Sequence, residues 1–158
     1  MANACGCIHD PAVWAARVQL SCLRQCIQLT PLRRRVLDIF SDSSAPLGAY
    51  AILEQMSRRG GKHVAPPTVY RTLDFFLDHG FVHRIESLNA YAPCEHLDHP
   101  HHGMLLICQA CGCSEEVEDD DVMRVIAATA MSASFTPQRV TVEAQGLCGR
   151  CAKNRPSP

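Results

Sequence analysis

The chain has 158 residues, 47% of them apolar and 20% charged, and its 15 Lys and Arg against 16 Asp and Glu leave a formal net charge of −1. That length accommodates one large domain or two small ones. No basic region followed by an apolar core opens the chain, and the longest strongly apolar run, Met104 to Cys108, is too short to cross a bilayer, so neither a signal peptide nor a membrane span is expected.

Ten Cys would suit a disulfide framework in a secreted protein; without a signal peptide, cytosolic thiols used for metal are the better reading. The small net charge conceals an asymmetry. Residues 1–90 carry ten Lys/Arg and seven Asp/Glu, a net +3, whereas residues 91–158 carry five and nine, a net −4. A mildly basic front and an acidic back predict two domains with different partners. The basic excess is too small to establish nucleic-acid binding by itself.

Cys5, Cys7 and His9 open the chain as three loose donors, more in keeping with a frayed tail than with a metal site. From Ala12 to Ile27, Ala16, Leu20, Leu23 and Ile27 fall on one helical stripe, with Cys22 and Cys26 sharing a face as small hydrophobes or an idle thiol pair. Thr30-Pro31 predicts the next helix start, with Thr at N-cap and Pro at N1, and Val36, Leu37, Ile39 and Phe40 as its buried side. Arg33, Arg34 and Arg35 at that start are either phosphate contacts or a solvated turn. A third helix runs from about Ala49 to Arg58, with Ile52, Leu53 and Met56 inward and Gly60-Gly61 ending it.

Pro66 to Gly80 predicts a fourth helix, with Pro67 at N1 and Gly80 at the C-cap. Val69, Leu73, Phe76 and Leu77 centre its buried face, and Arg71 lies almost opposite. A recognition helix places its base reader there, and the arginine fork matches guanine O6 and N7; the plain alternative is a solvated arginine. Phe75 also points away from the core, which suggests contact with another domain. Phe81 to Tyr91 reads as two short strands around a Ser87-Leu88-Asn89 turn. Three helices and a β-hairpin are the layout of a winged helix-turn-helix.

Residues 94–103 form a donor-rich linker with Cys94, His96, His99, His101 and His102. Met104 to Gln109 and Ser114 to Glu118 are expected strands, Glu118 to Asp121 introduce a helix with Val122, Val125, Ile126 and Thr129 on one face, and Val140 to Ala144 is a final strand. Two Cys-x-x-Cys turns, Cys108/Cys111 and Cys148/Cys151, stand thirty-six residues apart. Each turn can aim two sulfurs into one cavity, and together they supply four thiolates to a tetrahedral zinc at roughly 2.3 Å. Gly112 and Gly149 offer positive φ where the chain folds back. Redox dithiols are the alternative, but two such turns favour a structural metal that staples the last third of the chain. No Gly-rich phosphate loop or nucleophile–base motif is present, and a closed four-sulfur site leaves no position for substrate, so an enzyme is not expected.

With these pieces placed, the chain resembles the ferric uptake regulator superfamily of metal-sensing repressors from about Leu29 to Cys151. The resemblance is carried by PPTVYRTLDFFLDHGFVHRIES from Pro66 to Ser87, CQACG from Cys108 and GLCGRC from Gly146, and is closest to the zinc uptake regulator branch. It implies an α+β protein: a winged helix over residues 29–92 behind a tail and first helix at 1–28, a hinge at 93–103, a dimerisation domain at 104–151 and a tail at 152–158. It further implies a cytoplasmic homodimer that represses from palindromic operators when zinc is bound. By position, Tyr70 and Arg71 match the recognition-helix contacts, with Thr68 and Arg33 as further DNA-binding candidates. Cys108, Cys111, Cys148 and Cys151 match the structural zinc ligands, and His83, Cys94, His101 or His102, and Glu116 match the regulatory ones. One thiolate, imidazoles and a carboxylate form a mixed set in which the soft Cys94 favours zinc over hard cations. Leu32 replaces the usual Gln, the hinge lacks the His-x-His of the iron-sensing branch, and Cys113 has no counterpart. The alternatives are an iron- or peroxide-sensing relative, or a zinc-ribbon redox or scaffold protein that does not bind DNA.

Overall fold

A computed structural model describes residues 11–43, 45–60, 64–97 and 103–154. Cys5, Cys7, His9, His99, His101, His102 and the 155–158 tail lie outside the described residues. The described residues open with four helices, α1 (Pro11–Arg24), α2 (Pro31–Ser41), α3 (Ala49–Arg58) and α4 (Pro66–Asp78). At α2 the Thr30 hydroxyl accepts from the Arg33 amide and Pro31 occupies the first turn, where its missing N–H costs nothing. Val36, Leu37, Ile39 and Phe40 of α2 meet Ile52 and Met56 of α3 and Val69, Leu73 and Phe76 of α4 in one core. Phe40 is its centre, edge-on to Trp14 at 6.1 Å and to Phe76 at 6.2 Å. Each such aromatic removes its whole ring from water, stabilising the fold by about 1.5–3 kcal/mol.

Three local expectations are corrected. In α1 the buried stripe is Trp14, Val18 and Cys22, while Leu20 and Leu23 are exposed and Ala16 also faces outward. Two apolar stripes compete on this helix, and the one carrying Trp wins because it covers the largest ring area. Cys26 is exposed beyond the helix end at φ 54, so it shares no face with the buried Cys22. In α4 Pro66, not Pro67, takes the first position, after Ala65 as N-cap.

After α4, Gly80 turns the chain at φ +67 into the hairpin of β1 (Val82–Ile85) and β2 (Ala90–Pro93). A 3₁₀ turn, Glu86–Leu88, and Asn89 at φ 46 join the two strands. The rest of the chain is a three-stranded sheet: β3 (Gly103–Cys108) pairs antiparallel with β4 (Ser114–Glu118) and parallel with β5 (Val142–Gly146). The last strand begins two residues later than the alternation from Val140 suggests. Between β4 and β5 runs α5 (Asp120–Ser132), whose Asp119 N-cap accepts from the amides of Asp121 and Val122. None of its residues is buried, and Val125, on the expected shared face, is 65% exposed. A short α6 (Gly149–Lys153) closes the described chain. Hairpin and sheet meet through a small core of Ile85, Ala92, Leu105 and Ile107.

Candidate metal centres and nucleic-acid face

β3 ends at Cys108 and the chain reverses over the next five residues, with the Gly112 amide donating to Cys108 O at 2.9 Å and the Cys108 amide to Cys113 O at 2.9 Å. Gly112 makes that reversal at φ +72, as the turn requires; Gly149 has no positive φ and simply begins α6. The parallel strand β5 delivers Leu147 and Cys148 to the same end of the sheet, and α6 turns Cys151 back toward it. The sulfurs of Cys108, Cys111, Cys148 and Cys151 all lie within 4.8 Å of one another. A redox dithiol needs two sulfurs; here four converge. The Cys148 amide donates to Cys108 Sγ at 3.3 Å. That amide, with those of Cys111 and Ala110, holds the Cys108 thiol down to about 6. Cys151, beside the Cys148 sulfur, is pushed up to about 12. Donors aimed at one sulfur and a crowd of thiols around it fit a soft, tetrahedral cation that carries away their protons. Cys113, which the spacing left unassigned, is buried and its sulfur accepts from Cys111 Sγ at 3.3 Å.

A second cluster forms where hairpin and sheet meet. His83 comes from β1, Cys94 follows β2 with its amide donating to Phe81 O at 3.0 Å, and Glu116 sits at the middle of β4 opposite Leu105. One ligand atom from each lies within 4.8 Å of the others, and His83 Nε2 is 2.9 Å from Glu116 Oε1. Cys94 is fully buried, and that burial, reinforced by the Glu116 charge, pushes its thiol up to about 12. A neutral buried thiol held beside a carboxylate is a costly arrangement for the anion and a favourable one for a cation that displaces the proton. The imidazole, thiol and carboxylate therefore fit zinc, with the softer donor disfavouring hard ions. The fourth expected donor, His101 or His102, lies outside the described residues. Arg17 of α1 donates to Glu95 O at 2.7 Å, and His96 Nδ1 is 3.3 Å from Glu118 Oε1, so the residues after Cys94 are tied to both the helices and the sheet. Neither tie has a signal in the sequence, because each joins residues far apart in the chain.

The first two turns of α4 present Thr68, Tyr70 and Arg71 outward, while Val69, Thr72 and Leu73 are buried beneath them. Arg71 is thus placed as the helical wheel requires. The α2 arginines, expected as phosphate contacts or a solvated turn, each also bond within the protein. Arg33 stacks over the Phe75 ring at 3.5 Å and donates to Gln28 O at 2.7 Å. Arg34 donates to Leu29 O at 3.3 Å, and Arg35 to Met56 O and Gly60 O at 3.0 Å each. Arg33 and Arg34 thus close carbonyls of the loop before α2, and Arg35 closes carbonyls at the end of α3. Phe75, expected to point away from the core, is instead half-buried against it, enclosed by Arg33, by His79 at 4.4 Å and by Phe81 at 6.2 Å, so no other domain is needed to cover it.

A model of the ferric uptake regulator family matches residues 24–145. The zinc uptake regulation protein of Escherichia coli K12 is 38% identical over 144 residues, which span 87% of this chain and 81% of that one. Among solved structures, a zinc uptake regulator complexed with zinc and DNA superposes with a TM-score of 0.80 at 33% identity, covering 92% of this chain and 97% of the other. The holo form of XcZur superposes at 0.78 with 39% identity, over 89% and 98% of the two chains. Its apo form, also 39% identical, reaches only 0.55 over 90% and 98%. The chain belongs to the ferric uptake regulator family, on the side of its zinc uptake regulators.

Proposed function

We propose that the chain is a zinc-responsive transcriptional repressor, not an enzyme, that binds palindromic operator DNA in the cytoplasm as a homodimer when zinc is bound. The observation that carries this reading is the convergence of His83 and Cys94 from the hairpin side with Glu116 from the sheet. The higher TM-score with holo than with apo XcZur, at equal identity, supports it. Residues 29–92 act as the winged helix, 93–103 as the hinge and 104–151 as the dimerisation domain. A second copy would cover the apolar surface that Val125, Met131, Phe135 and Leu147 leave exposed at 65%, 77%, 63% and 38%.

Cys108, Cys111, Cys148 and Cys151 hold the structural zinc and join the turn after β3 to α6. His83, Cys94, Glu116 and a hinge histidine hold the regulatory zinc, whose positive charge replaces the Cys94 proton and offsets the Glu116 carboxylate. His83 from the winged helix and Cys94 from the start of the hinge then bear on Glu116 and set the angle of the winged helix to the sheet. Arg71 and Tyr70 address base edges, with Thr68 at the helix start, and the two copies of α4 must stand about 34–36 Å apart to enter successive major grooves. Arg33 keeps α2 against α4, and any phosphate contact it makes is secondary.

Operator binding measured against buffered free zinc, with iron and manganese titrated in parallel, tests this. Affinity rising with zinc at the lowest free concentration supports the reading. A response to iron ahead of zinc transfers it to an iron sensor, and operator binding indifferent to every metal overturns it.

A further inference from the structure

Glu116 has a counterpart at the opposite edge of the sheet, on the same face. In the register of the three strands Leu105 of β3 pairs with Glu116 of β4 and with Glu143 of β5, so both carboxylates flank one leucine on one face. That face meets the hairpin: Leu105 and Ile107 pack on Ile85 and Ala92. Glu116 reaches His83. Glu143 reaches the turn at the hairpin tip, where its Oε1 accepts from the Glu86 amide at 2.6 Å and its Oε2 from the Ser87 amide at 3.1 Å. Those amides open the 3₁₀ turn and point outward from the hairpin, so a carboxylate from outside satisfies them. Arg139, four residues before Glu143, adds a contact to Glu86 Oε1 at 3.1 Å, while Arg84 holds the same carboxylate's other oxygen at 3.1 Å. The exposed ion pairs contribute little. The bidentate acceptance by Glu143 is the stronger contact, because charged acceptors make the more favourable hydrogen bonds.

We propose that Glu143 is a positioning residue for the zinc response: it holds the hairpin tip on the sheet without metal and thereby sets how often His83 and Cys94 stand opposite Glu116. It rests on the zinc response proposed above. A site assembled from two bodies binds with an apparent dissociation constant equal to its intrinsic one divided by the fraction of molecules already docked. Removing the Glu143 contact lowers that fraction and leaves every ligand in place. Once zinc saturates the site, docking is complete with or without Glu143. The two carboxylates thus divide the labour: Glu116 ligates, and Glu143 presets the affinity.

The test uses the full-length protein with its four-cysteine site loaded, and competes a chelator of known affinity against zinc at the second site. Glu143→Ala is expected to bind that zinc about tenfold more weakly, within the range usual for couplings between sites. Glu143→Gln, which keeps one acceptor oxygen, should lose less, and Arg139→Ala less again. At saturating zinc all three should bind operator as the wild type does, which a merely structural role for Glu143 would not allow. Unchanged zinc affinity in Glu143→Ala, or operator binding still impaired at saturation, overturns the proposal. Amide exchange at Glu86 and Ser87 in protein stripped of the second zinc decides the contact without reference to any zinc response. Both amides should be protected in the wild type and lose protection in Glu143→Ala. Protection unaffected by the substitution also overturns the proposal, whereas wild-type operator binding indifferent to zinc, with protection intact, overturns only the function it rests on.

Discussion

Replacing Arg33 by Ala removes two contacts and leaves the Thr30 cap in place, because that cap uses the Arg33 backbone amide. The first contact is the guanidinium 3.5 Å from the centre of the Phe75 ring. Its surroundings are half-buried, so it stabilises by about 0.5–2 kcal/mol. The second is the 2.7 Å bond to Gln28 O at an exposed site, at the low end of the 0.5–1.5 kcal/mol usual for a hydrogen bond. Together they place the loss at about 1–2 kcal/mol, and at about 2–4 °C per kcal/mol for a chain of this size the melting temperature should fall by roughly 2–8 °C. A double-mutant cycle with Phe75→Leu isolates the stack: the two substitutions together should cost less than their sum. Arg33→Lys should recover only part of the loss, since a lysine cannot lay a planar fork on the ring. The salt dependence of operator binding should be nearly unchanged in all of them. Additive melting losses combined with a salt slope flattened by about one unit would show that Arg33 serves a phosphate instead.

Arg71→Ala should weaken operator binding by about 1–3 kcal/mol and relax preference at one base pair per half-site; equal losses on operator and random DNA would contradict base reading. Cys148→Ser should lose the four-sulfur zinc and the dimer together, measured by metal content and sedimentation, because Cys148 joins α6 to the turn after β3; a full dimer lacking that zinc would refute the link. For Glu143, burial raises the carboxyl, but the Ser87 hydroxyl and the amides of Glu86 and Ser87 outweigh it and leave the group below its ordinary 4.5. A depressed carboxyl contributes stability above its unfolded pKa and loses it as pH falls through the folded value. The melting difference between wild type and Glu143→Ala should therefore be full above about pH 5 and close as the pH drops below the ordinary carboxylate range; a difference constant down to about pH 3 would contradict this.

What was legible in the sequence was what local chemistry announces. Thr30-Pro31 marks the start of α2, Ala49–Arg58 is α3 residue for residue, and two Cys-x-x-Cys turns predict one cluster because two intervening residues bring two sulfurs together. In α1 Leu20 and Leu23 form a stripe as good as Trp14, Val18 and Cys22, and only the position of Phe40 decides between them. The shared apolar face expected for α5 is left unburied among the described residues. Glu116 was reached only through family resemblance, since a lone acid in a strand carries no local signal of a partner in a distant hairpin. Glu143 carries no local signal for the same reason: its place beside the hairpin follows from the parallel register of β5 on β3, which no spacing within β5 encodes.

The most direct test of the account substitutes Cys94 by Ser and measures operator binding against buffered free zinc beside the wild type. A hydroxyl is a poor zinc ligand, so the variant should lose the zinc-dependent gain in operator affinity, typically about 1–3 kcal/mol for such couplings, while keeping one zinc per chain at the four cysteines. An unchanged zinc dependence in Cys94→Ser would place the sensing site elsewhere and contradict the roles given to His83, Cys94 and Glu116.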